Sequence, residues 1–233
     1  MNVIITGASR GLGRAIAEKF AAAGYNLFLG AHNESRLLKA AAELRVLFPA
    51  IRIETKSADL GDKKEVIEFG QWIIDKKIEC DILVNNAGSF EPGSVYNEPD
   101  GTLEKMIAIN LYSAYHLTRI LLPGMMQRKK GHIFNMCSIA SLQAYKNGGA
   151  YSISKFALLG FSKNLRDEMK SYSIKVTSVI PGAVYTDSWS KSGIDPQRIM
   201  EASDIAEMVY VSSQLSPQAC VEEITLRPQL GDL

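Results

Sequence analysis

Cysteine is scarce in this chain: Cys80, Cys137 and Cys220 are the only three in 233 residues. An odd, widely spaced set is not a disulfide framework, and no pair has metal-ligand spacing. Histidine is equally sparse, at His32, His116 and His132, and its scatter argues against a zinc site. Charge of one sign is also missing. Lys and Arg number 26 against 25 Asp and Glu, a formal net charge of +1. That balance carries neither a nucleic-acid footprint nor an anionic-membrane footprint. The basic run Arg128-Lys129-Lys130 reads as a solvated helix end. Long apolar runs are absent too. Val3-Ile4-Ile5 stops at Thr6-Gly7, too short for a signal peptide or a membrane span. The expectation is a protein of a reducing cytoplasm with no metal.

What is present is an ordinary globular composition, 46% hydrophobic and 22% charged. The length suits one large α/β domain over 1–233, able to bury a sizeable core without staples. Apolar runs of strand length alternate with longer stretches of helical period. Strands are predicted over 3–6, 27–31, 51–55, 81–85, 132–137, 175–180 and 222–226. Helices are predicted over 11–23, 34–48, 63–76, 103–128, 150–171 and 204–214, the fourth disturbed near Pro123. Strict alternation argues for a parallel sheet with helices on both faces, and right-handed crossovers make it a doubly wound, Rossmann-type sheet of seven strands. A closed barrel would need about eight βα units. Two irregular segments, 89–100 and 186–201, follow strand C-termini, which is the ligand side of an open α/β sheet.

The first strand runs into Thr6-Gly7-Ala8-Ser9-Arg10-Gly11-Leu12-Gly13, and a helix follows. Glycines at a strand-to-helix turn let the backbone approach a pyrophosphate, which the helix N-terminus then faces with unpaired N–H groups. Glycines that merely make a tight turn are the plainer alternative. In a dinucleotide fold an acid about 20 residues on commonly reads the ribose 2′-hydroxyl. The second strand ends Gly30-Ala31-His32-Asn33, without one. Arg10 inside the turn could pair a 2′-phosphate in bidentate fashion, with His32 adding a donor. That favours NADP(H) over NAD(H). A solvated Arg10 is the alternative, and would leave His32 or Asn33 to read the ribose.

Tyr151 and Lys155 are four apart on a predicted helix and share a face. A tyrosine alone is a poor base at neutral pH, but an ammonium one turn away favours the phenolate. Such a pair can exchange a proton with a substrate oxygen. Tyr-x-x-x-Lys by itself is common on helices. Here Ser138 ends a predicted strand 13 residues earlier, and Asn85-Asn86-Ala87-Gly88 ends another on the same sheet edge. Asn110 lies inside a predicted helix between Ile109 and Leu111, where asparagine is a middling helix former. A satisfied core amide and an ordinary strand-end hydroxyl are the plainer readings of Asn110 and Ser138.

Taken together, the set resembles the short-chain dehydrogenase/reductase family over nearly the whole chain. Thr6-Gly7-x-x-x-Gly11-x-Gly13 is similar to its cofactor turn, and Asn85-Asn86-Ala87-Gly88 to its fourth-strand signature. Asp59, in Ala58-Asp59-Leu60, matches the acid that meets the adenine. Asn110, Ser138, Tyr151 and Lys155 match its catalytic tetrad in order and spacing, and Pro181-Gly182-x-x-x-Thr186 the segment along the nicotinamide. The resemblance implies that Tyr151 donates or accepts the proton, that Lys155 tunes Tyr151 and binds the nicotinamide ribose, and that Ser138 orients the substrate oxygen. It implies that Asn110 holds a water in a proton relay and that Thr186 bonds the carboxamide. Together with the residue readings, the cofactor-contact set is Gly7, Ser9, Arg10, Gly11, Leu12, Gly13, His32, Asn33, Asp59, Leu60, Asn86, Ala87, Gly88, Tyr151, Lys155, Pro181, Gly182, Val184 and Thr186.

The expected activity is hydride transfer between NADP(H) and a small carbonyl or alcohol substrate. The tail Arg227-Pro228-Gln229-Leu230-Gly231-Asp232-Leu233 lacks the Asp-Gly-Gly ending of 3-oxoacyl thioester reductases, and the segment after Thr186 is short. The branch looks more similar to NADP-dependent hydroxy-acid dehydrogenases and sepiapterin-reductase-like enzymes. A catalytically idle NADP(H)-binding regulator is the rival from another class, against which the complete tetrad argues. A sugar-nucleotide epimerase or dehydratase would need more chain after Pro181. Phe90, Tyr96, Tyr145, Tyr185 and Trp189 fall in segments expected to line a partly apolar pocket. Apolar residues on more than one helix face, such as Ile107, Leu111, Tyr115, Phe156, Leu159 and Phe161, lead us to expect a homodimer or homotetramer.

Overall fold

The structure is a computed structural model that describes residues 1–186 and 193–232; Trp189 lies outside the described residues. Strands β1 (Asn2–Thr6), β2 (Asn26–Ala31), β3 (Ile53–Ser57), β4 (Ile82–Asn85), β5 (Gly131–Met136), β6 (Ile174–Pro181) and β7 (Glu223–Leu226) form one sheet in the order β3-β2-β1-β4-β5-β6-β7. Every neighbouring pair is parallel. The connecting helices are α1 (Gly11–Ala22), α2 (Glu34–Leu47), α3 (Lys63–Asp75), α4 (Thr102–Ile107), α5 (Ser113–Arg128), α6 (Gly149–Met169) and α7 (Ala202–Ser213). Among the described residues no helix is long and apolar enough to cross a membrane.

A sheet covered on both faces must be apolar on both, and alternate residues of β1 show it. Val3 and Ile5 enter the core that includes Ile16, Phe20 and Val209 of α1 and α7, while Ile4 enters the opposite core with Phe69 of α3 and Leu117 of α5. One in-register row across the middle of the sheet is polar. Asn85 of β4 pairs with Asn135 of β5, which pairs with Ser178 of β6. Their side chains interlock: Asn85 Nδ2 donates to Asn135 Oδ1 (2.8 Å) and to Thr118 Oγ1 (3.0 Å), and Asn135 Nδ2 donates to Ser162 Oγ (3.0 Å). Ser178 Oγ donates to the same Ser162 hydroxyl at 2.8 Å. This row binds α5 and α6 to the strands. A buried polar row tolerates little slippage, because a shifted partner leaves an unsatisfied group.

Two predicted elements fall elsewhere. The third strand covers Ile53–Ser57, two residues later than expected, because Arg52 N donates to Asn26 Oδ1 (2.9 Å) and Leu27 pairs with Ile53. The long fourth helix is not disturbed at Pro123, which α5 carries in its interior. Its irregularity lies at Ala108–Tyr112, a π-helical turn between α4 and α5 centred on Asn110. A π turn inserts an extra residue into the helical ladder and is found disproportionately at functional sites.

His132 of β5 is buried and stacked on Phe134, with ring centroids 3.9 Å apart. Its Nε2 lies 2.7 Å from Thr177 Oγ1, whose proton goes to Val221 O. Nε2 is therefore the protonated nitrogen, and Nδ1 is buried with no partner. Desolvation, aided by Lys175, pushes the imidazole down to about 3. An unfolded histidine titrates near ~6.5, so below that pH the unfolded chain binds a proton that the native chain refuses. Stability contributed by neutral His132 is present above pH ~6.5 and declines as pH falls towards about 3, at up to ~1.4 kcal/mol per pH unit. Urea unfolding from pH 7 to pH 4 should show a shallower loss in His132→Gln than in wild type. Equal slopes would contradict this account.

Candidate active site

The chain lays β1, β2 and β3 to one side, then returns to place β4 on the other side of β1. The reversal opens a crevice at the C-terminal ends of β1 and β4, the ligand position of a doubly wound sheet. Thr6, at the end of β1, fastens its two walls. Its Oγ1 accepts from Asn86 N and Ala87 N, both at 2.9 Å, and Asn86 Nδ2 returns to Thr6 O (2.9 Å) and Gly7 O (3.2 Å). Gly13 is required beneath this clasp, because a Cβ there would lie 2.4 Å from Gly7 O and 2.5 Å from Asn86 Nδ2. Gly7 has φ +66° and Gly11 φ +55°, conformations that favour glycine.

The turn leads into α1, whose N-terminus has no side-chain cap and no acid in its first turn. The first N–H groups of a helix have no partner within it, and here they stand at the crevice edge with the positive end of the helix dipole. Opposite, Pro181-Gly182 ends β6 and the chain doubles back. Val184 bridges to Met200, and Tyr185 N donates to Met200 O at 2.7 Å. Thr186 then approaches the glycine turn: a Cβ on Gly11 would lie 3.4 Å from its Cγ2. Leu12 and Val184 pack into the core behind these walls.

Ala8 N donates to Gly30 O at 3.1 Å, which sets the glycine turn against the end of β2. Arg10 is exposed there as the residue preceding α1, and Ser9 is half-buried beside it. His32 Nδ1 lies 3.6 Å from Asp59 Oδ2, both side chains well exposed. Asp59 also holds its own turn, its Oδ1 accepting from Gly61 N at 2.9 Å, while Leu60 is buried behind it. Asn33 is engaged locally: its Oδ1 accepts from Arg36 N (2.9 Å) and caps α2.

At the other end of the crevice stand the four residues that sequence spacing grouped. Lys155 is buried, and its Nζ donates to Met136 O of β5 at 2.8 Å. It lies 5.9 Å from the centroid of the Tyr151 ring. Ser138 follows two residues after Met136, and its Oγ accepts from Ala140 N at 3.2 Å, leaving its proton and a second lone pair unspent in that contact. Asn110 is buried in the π turn, where its Oδ1 accepts from Ser89 N (2.9 Å) and its Nδ2 donates to Ser89 O (3.0 Å) and Ser154 Oγ (2.9 Å). Ser154 Oγ in turn donates to Tyr151 O at 2.7 Å. Gly88 brings Asn110 and Lys155 together, since a Cβ on it would lie 2.8 Å from Asn110 Oδ1 and 3.6 Å from Lys155 Nζ.

Two of the aromatics expected to line the pocket, Phe90 and Tyr145, are neighbours of Tyr151. Phe90 sets its ring edge-on to Tyr151, centroids 4.9 Å apart. Tyr145 also faces Tyr151, and burial together with that neighbour pushes its phenol up to about 12, keeping it a neutral donor. Burial raises the Cys137 thiol to about 11, so this cysteine beside Ser138 is no thiolate at neutral pH. Thr6, Ser89 and Ser154 act through contacts that join residues far apart in the chain. The arrangement can bind an anion at one end and pass a proton at the other.

Known proteins share this fold. The family model described as short chain dehydrogenase matches residues 1–197. A sepiapterin reductase from Chlorobaculum tepidum is 32% identical over 239 residues, covering 99% of this chain and 97% of its own. The alcohol dehydrogenase of Thermococcus sibiricus, solved with 5-hydroxy-NADP, superposes at a TM-score of 0.89 with 28% identity, over 98% of this chain and 96% of its own. L-sorbose reductase of Gluconobacter frateurii, solved with NADPH and L-sorbose, gives 0.90 with 28% identity, over 97% and 94%. The sheet order, the glycine turn and the full-length matches agree, and the chain belongs to the short chain dehydrogenase family of oxidoreductases.

Proposed function

We propose that this chain works as one unit that binds NADP(H) and interconverts a small carbonyl compound and its alcohol, with Tyr151 as the proton donor and acceptor. The observation that carries the reading is the buried Lys155 ammonium, tied to Met136 O and set 5.9 Å from the Tyr151 ring at the crevice that also holds the glycine turn. A buried ammonium is costly unless partnered, and one carbonyl occupies only one of its three donors. The other donors suit ribose hydroxyls. The residues fit the cofactor: α1 offers an acid-free N-terminus whose preceding residue makes no side-chain cap, and among the described residues the space above Gly11 meets only the Thr186 side chain. Arg10, in the glycine turn that Ala8 N sets against Gly30 O of β2, suits a 2′-phosphate, and His32 follows the end of that strand. NADP(H) named with the Thermococcus and Gluconobacter structures supports that choice.

When bound, the nicotinamide supplies or takes up hydride at the carbonyl carbon. The chain's own work is positional and protonic. Ser138 donates its free proton to the substrate oxygen and holds it beside Tyr151. Tyr151 gives its phenolic proton to that oxygen as charge builds there, and Lys155 stabilises the phenolate left behind. Asn110 fixes the Ser89 backbone and, through Ser154, the carbonyl of Tyr151. The water of the proton relay would sit behind Lys155. Phe90 and Tyr145 give the substrate side an apolar wall and a neutral donor.

Tyr112, at the end of the π turn, and Ile153 and Phe156 of α6 are exposed. Leu159 is buried within the chain, and Tyr115 and Phe161 meet each other with centroids 5.6 Å apart. The exposed three suit a two-fold contact between copies. Light scattering at micromolar concentration should give a mass of two or four times 25.6 kDa, and a mass of 25.6 kDa would refute the contact.

Oxidation of NADPH with a panel of ketones, 2-oxo esters and ketoses tests the activity. On any substrate found, Tyr151→Phe should lower kcat by about a hundredfold or more while leaving NADPH affinity intact. Lys155→Ala should damage both. Near-normal turnover in Tyr151→Phe would remove it as the proton donor. For the cofactor, Arg10→Ala should weaken NADPH by roughly ten- to a hundredfold and spare NADH. Ala31→Asp should favour NADH by repelling the 2′-phosphate. Parallel losses in Arg10→Ala, or a wild type that prefers NADH, would overturn the assignment.

A further inference from the structure

The helix that carries Tyr151 and Lys155 lacks a cap of its own. Gly148 precedes α6, and no side chain at that position bonds the first turn. The cap comes from 52 residues away: Ala150 N donates to Glu98 Oε2 at 3.1 Å. Glu98 sits at the end of the segment that follows β4, and this segment is laced to the residues just before α6. Gly93 N donates to Asn147 O at 3.1 Å, and Ser94 Oγ to Asn147 Oδ1 at 3.1 Å. Gly149, with φ +29°, admits the approach, since a Cβ there would lie 2.4 Å from Glu98 Oε2 and 2.5 Å from Gly93 O. The start of the same segment places Phe90 edge-on against Tyr151.

We infer that Glu98 is a positioning residue: its carboxylate anchors the first turn of α6, and with Phe90 at the other end of the segment it holds Tyr151 in place for proton transfer. The chemistry is direct. A carboxylate at a helix N-terminus accepts a strong, charge-assisted bond and complements the dipole. Tyr151 is the next residue after the bonded amide, so a frayed first turn moves the phenol itself. Misplacement of a reacting group by about 1 Å can cost a hundredfold in rate. Glu98 does not touch the reacting atoms; it acts through the backbone. The inference rests on the proposed role of Tyr151, and its test is arranged so that the two can fail separately.

The experiment compares wild type, Glu98→Ala and Glu98→Gln, each as full chain saturated with NADP+. Hydrogen exchange reads the amides of the first turn of α6. The ¹⁹F signal of Tyr151, in protein labelled with 3-fluorotyrosine and assigned by its loss in Tyr151→Phe, reads the phenol. Glu98→Ala should speed exchange at Ala150 about tenfold, as expected for one lost charge-assisted bond, and should shift or broaden the Tyr151 signal. Glu98→Gln keeps an acceptor oxygen and should restore both. With a substrate that wild type reduces, Glu98→Ala should lower kcat about tenfold or more with KM and NADPH affinity little changed. An unmoved Tyr151 signal in Glu98→Ala, a glutamine variant as impaired as the alanine variant, or faster exchange with unchanged kcat would each overturn the inference. A wild type that reduces no carbonyl compound would sink the functional reading, and the exchange and ¹⁹F results would still decide the role of Glu98.

Discussion

The clasp between the ends of β1 and β4 is the contact on which the rest of the site depends. One hydroxyl, Thr6 Oγ1, accepts two backbone N–H groups from the far strand, and one amide, Asn86 Nδ2, returns to two carbonyls of the near one. Parallel strands diverge from their crossovers at this point, so no main-chain ladder continues to hold them. The side chains take over. They fix the glycine turn on one wall and send Gly88 towards Asn110 and Lys155 on the other. The separation between the glycine turn and the Tyr151–Lys155 end is thereby set by four hydrogen bonds. Gly13 is their silent partner, because any side chain there would occupy the space of the clasp.

Behind the clasp lies an unusual concentration of buried polarity. Asn85, Asn135, Ser162 and Ser178 form a row, and Asn110, Ser154 and Lys155 form a second cluster above it. Burying amides and an ammonium costs free energy that an apolar core would not. What the arrangement supplies is uniqueness of position. A Leu can settle against several neighbours, but Asn135 is satisfied only with Asn85 on one side and Ser162 on the other. α5 and α6 cannot slide along the strands without breaking that row. The helix that carries Tyr151 and Lys155 is thus held from below by the row, from the side by Asn110 through Ser154, and at its N-terminus by Glu98.

Much of this was legible before any coordinates. The apolar periods located seven strands and the main helices, because burial on one or both faces of an element leaves a trace at intervals of two or 3.6 residues. The glycine turn and the Tyr151–Lys155 pair could be read because each lies within one turn of chain. The sequence marks Asn110 as an oddity between Ile109 and Leu111 but carries no sign of its π turn, and points to Pro123 for the irregularity instead. A helix interior tolerated that proline, while a buried amide seeking Ser89 and Ser154 distorted the ladder 13 residues earlier. Asn33, grouped with the cofactor residues, has its side-chain oxygen engaged in capping α2.

By itself, the sequence determined the fold class and the order of strand and helix, and it picked out the glycine turn and the Tyr151–Lys155 pair on which the proposed function rests. These are properties of short spans, decided by φ at a glycine or by the pitch of a helix. Tertiary structure decided which groups meet: Thr6 with Ala87, Gly88 with Asn110, Thr186 with Gly11, Glu98 with Ala150. Each of those contacts closes a loop of tens of residues or more. Its partner is chosen by where crossovers deliver the chain, and no local pattern records that delivery.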